Sequence, residues 1–256
     1  MKKLIVISLC VLCWSCTQNM DNPVIEYVQY MKGEGFFYCI DSKSPTIQLS
    51  WDYPVKPGTD GWKKFQTHQE MADACQIPKK ILSSLSTKEL AAICLQYPLL
   101  IDMFAFNIPD DGIDAVFNDF NGIRELFTRD DAAEELLGWY NCQIQNCSLL
   151  KKEDLSDFEK GDFIISTYTF EYLLSRAPNN YRKILQSLVV GYENQLEYSP
   201  EYISSLNHNF FARAHIINKM CETCFNEIPE KGSLFAQFYF KETSDVINNM
   251  SYHLIK

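Results

Sequence analysis

Two histidines followed by a C-x-x-C pair, His208, His215, Cys221 and Cys224, are the residues whose types come closest to a chemical site in this chain. Imidazole nitrogen and thiolate sulfur together are common ligands of tetrahedral zinc. A helix running through them would separate the two pairs. Counted from Ile203 at about 100° per residue, the histidines fall near 140° and 120° and the cysteines near 0° and −60°. The histidines are also about 10.5 Å apart along such an axis. Unless the helix breaks near Lys219, the expectation is no metal, with two histidines facing water and two sulfurs facing the core. Read as a redox pair, Cys221 and Cys224 would want a helix start, where the dipole lowers a thiol pKa. They fall at the end of an expected helix, where it acts the other way. A structural disulfide or two packed thiols is the expectation there.

Other chemistry is thinner. Asp110, Asp111, Asp114 and Asp119 lack the alternating spacing of a calcium loop and read as helix capping and a solvated face. A cysteine hydrolase would need a histidine brought to a thiol by the fold, and His68, His208, His215 and His253 are the candidates. Motifs such as G-x-S-x-G, H-E-x-x-H or a glycine-rich phosphate loop do not occur. No cofactor and no catalytic residue is therefore assigned. Trp51 and Trp62, with Tyr53 nearby, are the candidate ligand-binding residues, since exposed rings stack on sugars; the competing reading is that they fill gaps between helices.

Cys16 raises a different chemistry, acylation. Lys2 and Lys3 are followed by an apolar run from Leu4 to Trp14 and by Ser15, a small residue directly before Cys16. That run is too short for a bilayer, which needs about 20 apolar residues, and its order is that of a secretory signal. Lipoprotein signal peptidases cut between a small residue and a cysteine, so residues 1–15 read as a signal peptide and Cys16 as the lipidation site, carrying palmitate-type chains. A plain secretory signal cut nearby is the alternative. Each buried methylene contributes about 0.8 kcal/mol, so two or three chains anchor a protein stably. The expected location is the cell envelope, as an outer-membrane lipoprotein.

The chain has 256 residues and a net charge of −10, and removal of the signal takes two lysines with it. So acidic a chain has no electrostatic footprint for nucleic acid. Seven cysteines remain beyond Cys16, an odd number at irregular spacing, and most read as packed thiols.

The elements that must position these residues read as helices. Residues 16–56 are expected to form the anchor and an extended arm. Residues 57–146 carry short-helix signals. Thr67 with Glu70 and Ser86 with Glu89 fit the capping box. Pro98 must end or kink its segment. Asp111-Gly-Ile113 with Phe117 recurs as Asn121-Gly-Ile123 with Phe127, in which Asp or Asn suits a cap. Residues 147–256 carry longer helices, expected at Leu155–Arg176, Asn179–Tyr198 and Pro200–Cys224, although FIISTYTF within the first could also be a strand. In the last of them Ile203, Leu206, Phe210, Ala214, Ile217, Cys221 and Cys224 fall within about 80° of one another, an amphipathic stripe. The fold class expected is all-α, an irregular antiparallel helical array, solenoid-like or a bundle, preceded by a short extended N-terminal arm.

The run VKPGTDGWKKFQTHQEMADACQIPKKILSSLSTKELAAICLQYPLL, followed by FNDFNGIRELFTRDDAAEELL, resembles a set of lipoproteins of Bacteroidetes-type bacteria. The likeness covers about residues 55–140 and rests on PGT-x-x-W-K-K, CQIP, YPLL and FNG-I-x-EL. It implies an envelope location and a helical body, and it brings no catalytic residue. The functional expectation is a membrane-anchored envelope lipoprotein whose body binds a protein or extracellular polymer partner without catalysis. The alternative is an envelope hydrolase with a Cys/His site.

Overall fold

The computed structural model describes residues 49–106, 109–145, 157–198, 208–221 and 241–256, with backbone alone at 109, 157–162, 198 and 241–244. All regular structure among them is helical: α1 (His68–Ala74), α2 (Lys79–Leu82), α3 (Thr87–Leu95), α4 (Pro109–Asp119), α5 (Asn121–Leu126), α6 (Ala132–Gln145), α7 (Asp157–Arg176), α8 (Tyr181–Tyr198), α9 (His208–Met220) and α10 (Lys241–Ile255). Short 3-10 helices occupy Trp62–Lys64 and Leu100–Ala105. The all-α class expected from the sequence is the class observed. Cys16, Cys39, Cys147, Cys224 and the first part of the predicted last stripe, Ile203 and Leu206, lie outside the described residues.

The described end of the arm, Leu49–Pro57, has neither helix nor strand and lies on α3. Tyr53 is buried and donates its hydroxyl to the carbonyl of Ile93 at 2.8 Å. The two capping signals resolve differently. Thr67 and Glu70 form the full reciprocal box at the start of α1. Ser86 accepts from the Glu89 N–H, but the Glu89 carboxylate turns away to the N–H and hydroxyl of Ser50, at 2.5 and 2.6 Å. Half a box is thereby exchanged for a tie to the arm.

The motifs behind the family resemblance meet in space. Gln76 of CQIP donates to the Asp119 carbonyl at 2.6 Å and accepts from the Asn121 N–H at 3.0 Å. Asn121 of FNG returns the exchange, accepting from the Ile77 N–H at 3.0 Å and donating to the Ile77 carbonyl at 2.8 Å. Asn121 was expected as a helix cap. It is instead the first residue of α5, after Phe120, and its amide satisfies a loop. Tyr97 of YPLL stacks flat on Phe120 at 4.2 Å. In the ten-residue echo, Phe117 and Phe127 stack on each other at 5.0 Å. Gly112 is required by contact: a Cβ there would sit 2.0 Å from the Met103 carbonyl oxygen.

The longer helices close on themselves. α6 packs on α7 and α8, and α9 packs on the same two, so four contacting pairs form a ring; α10 covers α8 and α9, and α3 joins α6 to the short helices. One apolar core runs through all of it, from Tyr53 to Ile247. The segment FIISTYTF is helix, not strand. Inside α7 its threonines return their hydroxyls to carbonyls one turn back, Thr167 to Phe163 at 2.8 Å and Thr169 to Ile165 at 3.0 Å, which removes the polar cost of burying them. α8 starts at Tyr181, not at Asn179, because Asn180 has φ 58°, left-handed backbone that a helix cannot contain. α9 departs further from expectation. It is buried around its circumference, Asn209 to Ala214 and Ile216 and Ile217 all being inaccessible, so it is a central helix and not an amphipathic one.

Replacing Asn121 by Ala leaves the Ile77 N–H and carbonyl without their partners and is expected to cost about 2 kcal/mol or more. A lowered midpoint in urea with an unchanged slope would register it; an unchanged midpoint would mean that the CQIP–FNG exchange does not hold the short helices.

Candidate functional site

The ring of four helices has a polar centre. Glu171 of α7 is fully buried, and its Oε1 accepts from the Tyr140 hydroxyl of α6 at 2.8 Å, Gln195 Nε2 of α8 at 3.0 Å and Asn209 Nδ2 of α9 at 2.8 Å. One donor comes from each of the other three helices. Asn209 Nδ2 also donates to the Leu188 carbonyl at 2.8 Å, which fixes the orientation of its amide. Gly191 of α8 makes the room, since a Cβ at that position would lie 2.0 Å from the Tyr140 hydroxyl oxygen. One turn along α9, Arg213 is also fully buried and turns to α10, donating to Ser251 Oγ at 2.9 Å and Asn248 Oδ1 at 2.8 Å. Its guanidinium lies 5.1 Å from the centroid of the Phe210 ring. Burial lowers the Arg213 pKa to about 10, still far above neutrality, so the cation persists.

None of these residues was singled out from the sequence. The signal was present as an isolated charge in an apolar run. Glu171 is the only charged residue between Phe163 and Ser175, and Arg213 is the only Lys, Arg, Asp or Glu between Asn209 and Ile217. Both lie on stretches that the structure buries, Thr169–Ser175 of α7 and Asn209–Ala214 of α9, where a lone charge must find partners.

The residues that were singled out disperse. His208 does not face water: its ring lies 4.4 Å from Tyr168, 5.0 Å from Tyr172 and 5.5 Å from Phe104, and its Nδ1 is hydrogen-bonded to the Tyr172 hydroxyl. Burial lowers its pKa to about 4, which keeps the imidazole neutral. His215 is half-buried, with Nε2 3.4 Å from Asp110 Oδ1. Cys221 is disulfide-bonded, as is Cys142 on α6. Of the residues weighed as zinc ligands, His208, His215 and Cys221 each have a separate engagement, Cys224 lies outside the described residues, and the outward-facing histidines of the sequence reading are corrected. α9 has neighbours on both sides, so no face of it is left for water. Cys75 and Cys94 are buried thiols, as expected of packed cysteines.

The acidic cluster is likewise not a solvated face throughout. Asp110 is buried, and Arg176 of α7 donates to it at 2.7 Å and to Asp114 at 3.0 Å, an ion-paired seam between α4 and α7. Asp102 holds His68 Nε2 at 2.9 Å. Among the described residues no group of three or more His, Cys, Asp or Glu is arranged to hold a metal ion. Trp51 packs edge-on to Tyr53 at 4.7 Å and Trp62 edge-on to Phe65 at 5.6 Å, and both rings are partly buried against the core. Between α6 and α8 lies an open groove of about 550 Å³, lined by Leu137, Gly138, Asn141, Ile144, Lys183 and Ser187 among others.

The chain matches no protein-family model, no curated protein and no solved structure.

His208 makes a prediction about acid stability. Its folded pKa lies below the ordinary 6.5, so as pH falls from 6.5 towards 4 the unfolded chain takes up a proton that the folded one refuses. Stability is lost over that window, by about 3 kcal/mol in full. His208→Gln, which keeps an acceptor for Tyr172, is expected to diverge from the unsubstituted protein only below about pH 6.5. Parallel urea midpoints for the two proteins from pH 7 to pH 4 would show that the ring is accessible to protons.

Proposed function

We propose that this chain is an envelope lipoprotein, cut before Cys16 and held to the outer membrane by acyl chains on that residue, with a helical body that binds a partner and does not catalyse. The observation that carries the reading is the order of residues at the N-terminus: two lysines, an apolar run too short to span a bilayer, then Ser15 and Cys16. The disulfides at Cys142 and Cys221 support it, because disulfides persist in oxidising compartments outside the cytoplasm. No helix among the described residues is long and apolar enough to cross a membrane.

The hydrolase alternative needs a thiolate beside an imidazole. Among the described residues, His68 and His215 face carboxylates and His208 faces a tyrosine, while Cys75 and Cys94 are sealed in the core. Burial drives the Cys94 pKa well up, opposite to what a nucleophile requires. A partner, whether protein or extracellular polymer, has the groove between α6 and α8 and the ring edges of Trp51 and Trp62 as available surfaces.

Cys16→Ala is expected to abolish labelling by a palmitate analogue and to move the protein from the membrane to the soluble fraction; continued membrane association would sink the anchor reading. Iodoacetamide applied to the native protein is expected to leave Cys75 and Cys94 unmodified until denaturant is added. Fast alkylation of either thiol in the folded state would return the Cys/His reading to contention.

A further inference from the structure

The two oxygens of the Glu171 carboxyl are treated unequally. Oε1 takes all three of the hydrogen bonds from Tyr140, Gln195 and Asn209, whereas Oε2 is buried and has no partner. The amide oxygen Oδ1 of Asn209, on the side chain already bonded to Glu171, is also buried and also has no donor. An ionised carboxylate spreads its charge over both oxygens, so a buried anion here would leave half of that charge facing no donor. Arg213 is near enough to be felt but does not form an ion pair with Glu171, since its Nε and one terminal nitrogen are committed to Ser251 and Asn248 of α10. A proton on Oε2 removes the uncompensated charge and turns an orphaned acceptor into a donor, while Asn209, already bonded to Oε1, carries an acceptor that has no donor.

We propose that Glu171 is a structural proton site, a neutral carboxylic acid with its hydrogen on Oε2, and that release of this proton to water as pH rises is a switch that loosens the four-helix ring. In the neutral form the group is an acceptor for α6, α8 and α9 at once. In the ionised form it is a buried anion without a counter-ion at contact distance. The groups that face it define the switch. Tyr140 faces it from α6, Tyr168 shares α7 with it, Gln195 from α8 does not titrate, and Asn209 and Arg213 face it from α9. Tyr192 of α8 and Tyr252 of α10 face Arg213 behind them. Burial raises the Tyr168 hydroxyl, the hydrogen bond to Glu193 raises that of Tyr252, and Arg213 stays charged, so Glu171 is the group whose shift brings it between pH 5 and pH 8.

Burial raises the carboxyl to about 7, against the opposing pull of the hydrogen bonds from Asn209, Tyr140 and Gln195 and of the Arg213 charge. The sign of the consequence follows. A carboxyl with a folded pKa above the ordinary 4.5 contributes stability that is fully present below 4.5 and lost as pH rises through 7. This runs opposite to His208, whose window lies on the acid side of 6.5.

The test is chemical denaturation of the full-length protein and of Glu171→Gln between pH 5 and pH 8. The amide keeps an oxygen for the three donors and places N–H where the acid has O–H. Both proteins carry His208, so the readout is their ratio: the folding constant of the unsubstituted protein relative to that of the variant is expected to fall roughly 50-fold over that range, leaving the variant the more stable of the two at pH 8. A variant less stable than the parent at pH 8 would mean that the fold relies on the anion, and the proposal would be wrong. A second measurement does not depend on the variant folding. With the glutamate carboxyl carbons labelled by 13C, one resonance of the unsubstituted protein is expected to titrate near neutrality and to persist in Glu135→Gln, Glu135 being the other glutamate whose carboxyl burial raises. Titration of every glutamate in the acid range would overturn the assignment.

Discussion

The burial of one carboxyl group among four helices is the constraint on which the C-terminal half of the structure depends. A carboxyl taken out of water must be met by donors, and those at Glu171 come one each from α6, α8 and α9. Apolar packing is indifferent to small rotations of a helix about its axis; hydrogen bonds to a single oxygen are not. Glu171 therefore sets the rotation of each helix in the ring. Gly191 belongs to the same constraint, because any side chain there would displace the Tyr140 hydroxyl. Arg213 extends it outward, fastening α10 to α9 through Ser251 and Asn248.

The short helices are held by a different device. α1, α2 and α5 have too few residues to bury a continuous face, so loop backbone carries much of the load. Gln76 and Asn121 satisfy one another's neighbouring peptide groups, and Arg129 donates to the carbonyls of Leu85 and Leu82 at 2.7 and 3.1 Å. α3 is the hinge between the two systems, touching α5 on one side and α6 on the other. Gln76 of CQIP and Asn121 of FNG are fasteners of this kind. Their types are set by the geometry of loops, and no chemistry with a substrate is needed to explain them.

Among the described residues, three histidines and two cysteines, types with wide chemical scope, are each absorbed by a partner. Tyr172 takes His208, Asp110 takes His215, Asp102 takes His68, and disulfides take Cys142 and Cys221. The titratable groups with the largest consequences for pH dependence, Glu171 and His208, sit on adjoining turns of the same interior and pull in opposite directions. Stability across pH is thus a balance of an acid that resists ionising and a base that resists protonation.

Periodicity and punctuation were enough to read an all-α body, the two capping sites and the break at Pro98, because each depends on contacts within a few residues. The start of α8 was misplaced by two residues for a local reason, the left-handed Asn180, which a helix pattern does not announce. The larger misreading was at α9. Its apolar stripe is real, with Phe210, Ala214 and Ile217 all inaccessible, but the opposite face is buried as well. Whether a polar-looking face meets water or another helix is a fact about neighbours far away in the chain. For that reason His208 looked exposed and Asn209 and Arg213 looked ordinary. What the amino-acid order determined by itself was the helices. What only the tertiary structure decided was which charges are interior, since a lone Glu171 or Arg213 acquires its meaning from donors and acceptors that close packing brings from other helices.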